Sequence, residues 1–290
     1  MKLSDFWPYR LVTSMLRLTR LPNLIIIAIT QYFVAIFLVH DNSLWFEVAS
    51  NLFFLLLVIS TSMIAGAGYI INDYYDTKID YVNRPKSVVV GRLIDRRYVL
   101  FIYFSLNGLS TMVGFLISLE IGFIHAVSIF LLWIHSNQMK RLPLMGNFTI
   151  GVLSGLSIAL VAIFFNQQNW LVFTYAFFAF MINFVREILK DLEAIKGEEK
   201  FGSLALPSIW GIRNTKKLIY ILITVSFLAL SLFLVNADNT VASTYFILLI
   251  PLFIYFIFLL VKADTQQRFA FLGDFANFIM LSGIISITFF

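Results

Sequence analysis

An all-α, polytopic membrane protein is the fold class this sequence predicts, and three observations predict it. Hydrophobic residues make up 60% of the 290 residues and charged ones only 13%, with a mean hydropathy of +0.89; soluble domains carry about 25% charged residues. Nine apolar runs recur along the chain, at 24–40, 52–71, 98–118, 121–137, 148–165, 170–185, 218–235, 241–261 and 271–290. Most approach the ~20 residues a helix needs to cross the hydrocarbon core. The 21 Lys and Arg residues, finally, fall only in alternate connections: four before the first run, six between the second and third, two after the fourth, seven after the sixth and two after the eighth. The other connections, around Asp41, Glu120, Gln167 and Asp238, and the carboxyl-terminal end hold none. This distribution obeys the positive-inside rule and predicts a multi-pass protein of the cell (inner) membrane, with its amino terminus in the cytoplasm and its carboxyl terminus outside.

Residues 1–22 do not have the form of a cleavable signal, because Arg10, Arg17 and Arg20 interrupt the apolar positions. Trp7, Leu11, Met15 and Leu18 recur at helical spacing while Arg10, Thr13, Arg17 and Arg20 face elsewhere, the pattern of an interfacial amphipathic helix on an anionic leaflet. Pro22 and Asn23 then open the first span, and the third and fourth runs meet near Glu120. The two longest connections, 72–97 and 186–217, carry most of the charge and lie on the predicted cytoplasmic side, so the chemistry is expected to open there. No linker interrupts the chain, which reads as one domain over 1–290, and acidic clusters after the second and sixth runs hint at a four-helix repeat. The absence of cysteine excludes disulfides and thiolate metal sites. His40, His125 and His135 show no metal-ligand spacing. The net charge of +5 reports orientation in a membrane protein, and a nucleic-acid partner is not expected.

The chemistry concentrates in Asn72-Asp-Tyr-Tyr-Asp-Thr-Lys-Ile-Asp-Tyr-Val-Asn-Arg-Pro-Lys-Ser-Val-Val-Val-Gly-Arg92, directly after the second apolar run. If the helix continues through it, Asp73, Asp76 and Asp80 fall within an arc of ~60°, since each residue turns ~100°. Like charges on one face repel unless a cation neutralises them, and hard oxygen ligands suit Mg2+, which commonly binds through carboxylates plus substrate phosphates. Mg2+ with a diphosphate is therefore the expected partner; the alternative is a solvated helix end with Asn and Asp as local caps. Basic residues at Arg84, Lys86 and Arg92 favour the diphosphate.

The pattern N-D-x-x-D-x-x-x-D followed by N-R-P and G-R resembles the first aspartate-rich motif of the UbiA-type intramembrane prenyltransferases, which move an isoprenoid chain from its diphosphate to an acceptor. The resemblance implies nine transmembrane helices around a central cavity. The stretch Arg186-Glu-Ile-Leu-Lys-Asp191-Leu-Glu-Ala-Ile-Lys-Gly-Glu198 is similar to the family's second motif, commonly D-x-x-D-x-x-x-D, with Asp191 and Glu198 kept, Ala194 where an acid is usual, and Glu193 beside it. Alone, this segment also reads as an amphipathic helix whose acids pair with Lys190, Lys196 and Lys200. Between the fourth and fifth spans, His135-Ser-Asn-Gln-Met-Lys140-Arg141-Leu-Pro-Leu-Met-Gly-Asn147 resembles a third family stretch, with His135 where tyrosine is common. Without the motif context Lys140 and Arg141 are positive-inside anchors.

What the resemblance implies for this chain is Mg2+ held by Asp73, Asp76 and Asp80 and by Asp191 with Glu198. Asn72, Arg84, Arg92, Lys140, Arg141 and Lys190 would bind the diphosphate, with Arg20 and Asn23 as further candidates. Asp73, Asp76, Asp191 and Lys140 would be the catalytic set. Charge neutralisation lets the allylic C–O bond ionise before the acceptor attacks. Asn-Asp-Tyr-Tyr-Asp with Asn-Arg-Pro, and Arg-Glu-x-x-Lys-Asp-x-Glu, look most like the digeranylgeranylglyceryl phosphate synthase branch, whose acceptor is a prenylated glycerol phosphate. Branches that prenylate aromatic acceptors such as 4-hydroxybenzoate share the core motif. The 32 phenylalanines suit a polyprenyl tunnel and, equally, membrane packing. A reading of another class is an ion-coupled transporter, whose acids would sit near the bilayer midplane on broken helices.

Overall fold

The computed structural model describes residues 7–40, 44–83, 88–167, 169–198, 205–236 and 240–290, almost all of them helical. In chain order the helices are α1 (Trp7–Leu18), α2 (Leu21–Phe33, continued by a π-helical turn Val34–Val39), α3 (Trp45–Ser50), α4 (Leu52–Asn83), α5 (Arg96–Ile117), α6 (Leu119–Asn137), α7 (Met145–Phe164), α8 (Trp170–Glu198), α9 (Leu206–Asn236), α10 (Thr240–Lys262) and α11 (Gln266–Ser286). Among the described residues eight helices are long and apolar enough to cross a membrane, against the nine runs expected. The difference is α10, which is 23 residues long but whose described apolar stretch, Leu249–Lys262, is shorter. Long helices are what an apolar chain must form in lipid, where every backbone N–H and C=O has to be satisfied within the segment.

Two compact units divide the chain. The first comprises Met1–Gln31 and Glu47–Met139 and carries the first acidic motif. Its centre is α4, against which α1, α5 and α6 pack. α4 runs 32 residues, from Leu52 through all three motif aspartates to Asn83. It meets no glycine or proline between Tyr69 and Pro85, and the residue before a proline is biased out of the helical region. After the described gap the chain returns at Val88, and Val88, Val89 and Val90 are all buried. Gly91 takes φ +76, a left-handed conformation favoured by the lack of a Cβ, and donates its N–H to Ile94 O at 2.8 Å. That turn folds Val89, Val90 and Ile94 into one apolar cluster with Leu18 of α1, Ala67, Ile70 and Ile71 of α4, and Val99 and Tyr103 of α5. Met15 packs against the same cluster, whereas Val12, Leu16 and Arg17 on the rest of α1 are exposed. The junction expected near Glu120 is a one-residue break at Ser118, whose hydroxyl caps α6 by accepting from Ile121 N at 3.1 Å.

The second unit comprises Tyr32–Phe46 and Lys140–Phe290 and carries the second acidic motif. α8 is packed between α7, α9 and α11, around Phe184, Ile188, Leu189 and Leu192 of α8, Leu206 and Ile219 of α9, Phe256 and Leu260 of α10, and Phe269 and Leu272 of α11. Lys216 of α9 donates to the carbonyls of Val261 and Ala263, each at 3.0 Å, and so satisfies carbonyls that the end of α10 would leave open. α7 lies close against α8: a Cβ on Gly155 would meet Ala176 O at 2.7 Å and Phe180 Cβ at 3.2 Å. Small residues at such crossings let helices approach in a membrane. Gly155→Ala is therefore expected to destabilise the protein by ~1–3 kcal/mol, despite alanine's better helix propensity. Gly273→Ala in α11, where a Cβ meets nothing within 4 Å, is expected to cost nothing. Unfolding midpoints of the two variants in detergent, compared with the parent protein, check this.

Candidate active site

The first motif stands on the last three turns of α4, where Asn72, Asp73, Asp76 and Asp80 are all half-buried. Asp73 is held from the segment that joins α1 to α2. Arg20, in the left-handed region at φ +51, places Nη2 at 3.3 Å from Asp73 Oδ1. Its guanidinium also lies over the Tyr69 ring, one turn earlier on α4, at 4.7 Å from the centroid. Asn23 donates from Nδ2 to the Tyr69 hydroxyl at 3.2 Å, so both Arg20 and Asn23 converge on the same stretch of α4. On another side of the motif Arg96, at the start of α5, lies over the Tyr74 ring at 4.4 Å and donates to Tyr74 O at 3.3 Å. Thr77 adds side-chain bonds to the carbonyls of Asp73 and Tyr74, at 3.0 and 2.9 Å. The acidic face is thus bracketed by two arginines, each steadied on a tyrosine ring.

The second motif occupies the end of α8. Asp191 is half-buried, and its Oδ2 accepts from Asn147 Nδ2 of α7 at 2.8 Å. Asn147 is itself buried, in the first turn of α7, which follows Leu144 at φ +65. Lys190 pairs with Glu187, one turn back on α8. Glu187, Asp191 and Glu198, at spacings of four and seven, fall within an arc of ~40° on the helix. An acid one turn before Asp191 thus stands on the face where Ala194 contributes none. Glu198 closes α8, and its side chain lies outside the described residues.

Of the remaining expected residues, Arg92 is exposed on the Gly91 turn. Lys140 and Arg141 sit on a single 3-10 turn, Met139–Arg141, ahead of α7, with Lys140 half-buried and Arg141 exposed. Arg84 and Lys86 lie outside the described residues. Sequence reasoning passed over three residues that the structure brings to the two motifs: Arg96, which looks like one more positive-inside charge; Glu187, in a quoted motif but given no role; and Asn147, at the end of a family-like stretch. Only Glu187 carried a readable signal, its four-residue spacing from Asp191.

Among the described residues no three acids or histidines converge closely enough to hold a metal ion by themselves. On α4 they are strung along the axis, with ~4.5 Å of rise between Asp73 and Asp76 and ~6 Å between Asp76 and Asp80. Hard oxygen donors spread in this way fit Mg2+, which takes one or two carboxylates and completes its shell with water and substrate phosphates.

The UbiA prenyltransferase family model matches residues 24–280. This chain belongs to the UbiA prenyltransferase family. Among UbiA relatives, the digeranylgeranylglyceryl phosphate synthase of Methanosphaera stadtmanae is 30% identical over 222 residues, 76% of this chain and 81% of that protein. The protein of the same name from Thermococcus sibiricus is 34% identical over 152 residues, 52% of this chain and 54% of its own length. A solved structure from work on digeranylgeranylglyceryl phosphate synthase in membranes has a TM-score of 0.73 at 20% identity, covering 96% of this chain and 97% of that one. The UbiA homologue of Archaeoglobus fulgidus bound to DMAPP and Mg2+ gives 0.68 at 16% identity, covering 95% and 99%. At these identities the structural likeness is one of fold. The expected family and the all-helical membrane fold are both borne out.

Proposed function

We propose that this chain transfers a polyprenyl group, geranylgeranyl in the first instance, from its diphosphate to a prenylated glycerol phosphate in a Mg2+-dependent reaction. What supports this most directly is the acidic face of α4, whose Asp73 already faces a guanidinium. Membership of a prenyltransferase family and similarity to relatives named digeranylgeranylglyceryl phosphate synthase support the donor and acceptor classes. Asp73, Asp76 and Asp80 would hold Mg2+ at the first motif, and Asp191 with Glu198 at the second. When bound, the ion neutralises charge on the diphosphate leaving group.

The chain's own residues do the rest. Arg20, Arg92, Lys140, Arg141 and Lys190, with Arg84 beyond the described residues, supply cations for phosphate oxygens. Asn72 and Asn23 supply amides. Asn147 fixes one oxygen of Asp191 so that the other is presented in a constant direction. With the diphosphate held, the allylic C–O bond breaks and its electron pair leaves on the diphosphate. The acceptor hydroxyl then attacks the allylic carbon and loses its proton. Surroundings poor in water protect that carbon from hydrolysis. The transporter reading loses support because the acids stand on the terminal turns of α4 and α8 rather than at mid-helix.

The test is transfer of radiolabelled geranylgeranyl from its diphosphate by purified protein, with and without Mg2+, to geranylgeranylglyceryl phosphate or to 4-hydroxybenzoate. Transfer to the glycerol phosphate alone supports the assignment. Transfer to the aromatic acid alone moves the chain to another branch of the family, and no Mg2+-dependent transfer to either refutes the reading. The arrangement in the membrane is proposed with it: reporters fused after Lys2, Arg97 and Thr215 are expected to read cytoplasmic, and those near Gln167 or after Phe290 external. A cytoplasmic carboxyl terminus would change the number of spans.

A further inference from the structure

We propose that Arg20 is a displaceable counter-ion: it neutralises Asp73 while no divalent cation is bound, and yields the carboxylate when one binds. This rests on the reading of Asp73 as a metal ligand. Three observations carry it. Arg20 Nη2 is 3.3 Å from Asp73 Oδ1, and the two side chains retain 42% and 25% of their exposure, so the pair can exchange with solvent and ions. The Arg20 backbone sits at φ +51, between the end of α1 and the start of α2, with its N–H bonded to Arg17 O at 3.1 Å and its carbonyl bonded to Asn23 N at 2.8 Å. In that same pose the guanidinium lies over the face of Tyr69, whose hydroxyl Asn23 engages. A cation leaving Asp73 can therefore remain over the ring, one helical turn from the acid, where it meets the phosphate that a divalent ion brings with it. The same group serves the carboxylate before the metal arrives and an anionic oxygen afterwards, so the site avoids both an uncompensated acid and an uncompensated arginine.

The consequence is competition between Arg20 and the metal in the absence of diphosphate. Partly exposed ion pairs are weak, so the expected effect is modest, a factor of ~2–5. The experiment is titration of the full-length protein in nanodiscs with Mn2+ alone, read by electron paramagnetic resonance, followed by inorganic pyrophosphate at saturating Mn2+. Arg20→Asn is the variant of choice, because asparagine tolerates a positive φ. It is expected to tighten Mn2+ binding ~2- to 5-fold and to weaken pyrophosphate binding. Arg20→Lys, which keeps the charge but not the fork, should hold Mn2+ affinity near that of the parent. Unchanged or weaker Mn2+ binding in Arg20→Asn overturns the proposal. So does an equal tightening in Arg17→Gln, which would point to the general field of the basic segment. Asp73→Asn separates the two levels. If it leaves Mn2+ binding unaltered, the metal reading fails and the counter-ion proposal with it; if it abolishes binding while Arg20→Asn changes nothing, only the counter-ion proposal fails.

Discussion

Asp73→Asn and Asp76→Asn are each expected to lower prenyl transfer about a thousandfold, equivalent to ~4 kcal/mol of lost transition-state stabilisation, while the protein still inserts and folds. An amide keeps the shape of the carboxylate and loses the anionic oxygen that a hard cation requires. Fold stability should hardly move, since the ion pair that Asp73 makes with Arg20 is partly exposed and such pairs contribute ~0–1 kcal/mol. Single-turnover transfer and thermal unfolding, measured on the same nanodisc preparations, separate chemistry from folding. Normal activity in both variants would remove the first motif from the metal site.

Asn147→Leu is the second large effect. It keeps a buried position filled with a side chain of similar size but deletes the amide that donates to Asp191 Oδ2 at 2.8 Å. A carboxylate that loses a fixed donor changes both its direction and its basicity, and comparable changes around metal ligands cost about 10- to 100-fold. We expect activity to fall by that factor and to recover in part at higher Mg2+, because the defect lies in grip on the ion. A fall that no Mg2+ concentration relieves would assign Asn147 to packing between α7 and α8 instead.

How much of this could be read beforehand differs from motif to motif for physical reasons. The shared face of Asp73, Asp76 and Asp80 was legible on the condition that the helix continues through them, a condition that α4 meets and that a run without glycine or proline favours. For α8 the seven-residue spacing of Asp191 and Glu198 was the local signal, and the helix carries both although Gly197 lies between them. The pairings Arg20 with Asp73 and Asn147 with Asp191 span 53 and 44 residues, and nothing in spacing connects residues so far apart. The left-handed turns at Arg20 and Leu144 were equally invisible, since neither is the glycine or asparagine that usually marks such a conformation. Arg96 was counted only as one of the basic charges between the second and third runs; its contact with Tyr74 depends on the turn through Val89 and Gly91 that brings α5 back to α4.

The length of α4 has a kinetic meaning. From Leu52, the rise of 1.5 Å per residue carries the helix about 32 Å by Asp73, which is about the thickness of the hydrocarbon core. In the membrane arrangement proposed above, with Leu52 at one edge of the hydrocarbon core, the acids would begin where the acyl chains end, at the depth of lipid headgroups. The substrates proposed above, a prenyl diphosphate and a prenylated glycerol phosphate, would float at that depth, tails down and phosphates up, and so would reach the protein sideways from the leaflet without crossing bulk water. The concentrations that matter are then mole fractions in the bilayer. Diluting both substrates with inert phospholipid at constant bulk concentration should slow the reaction, whereas diluting the whole suspension with buffer should leave the turnover per protein almost unchanged.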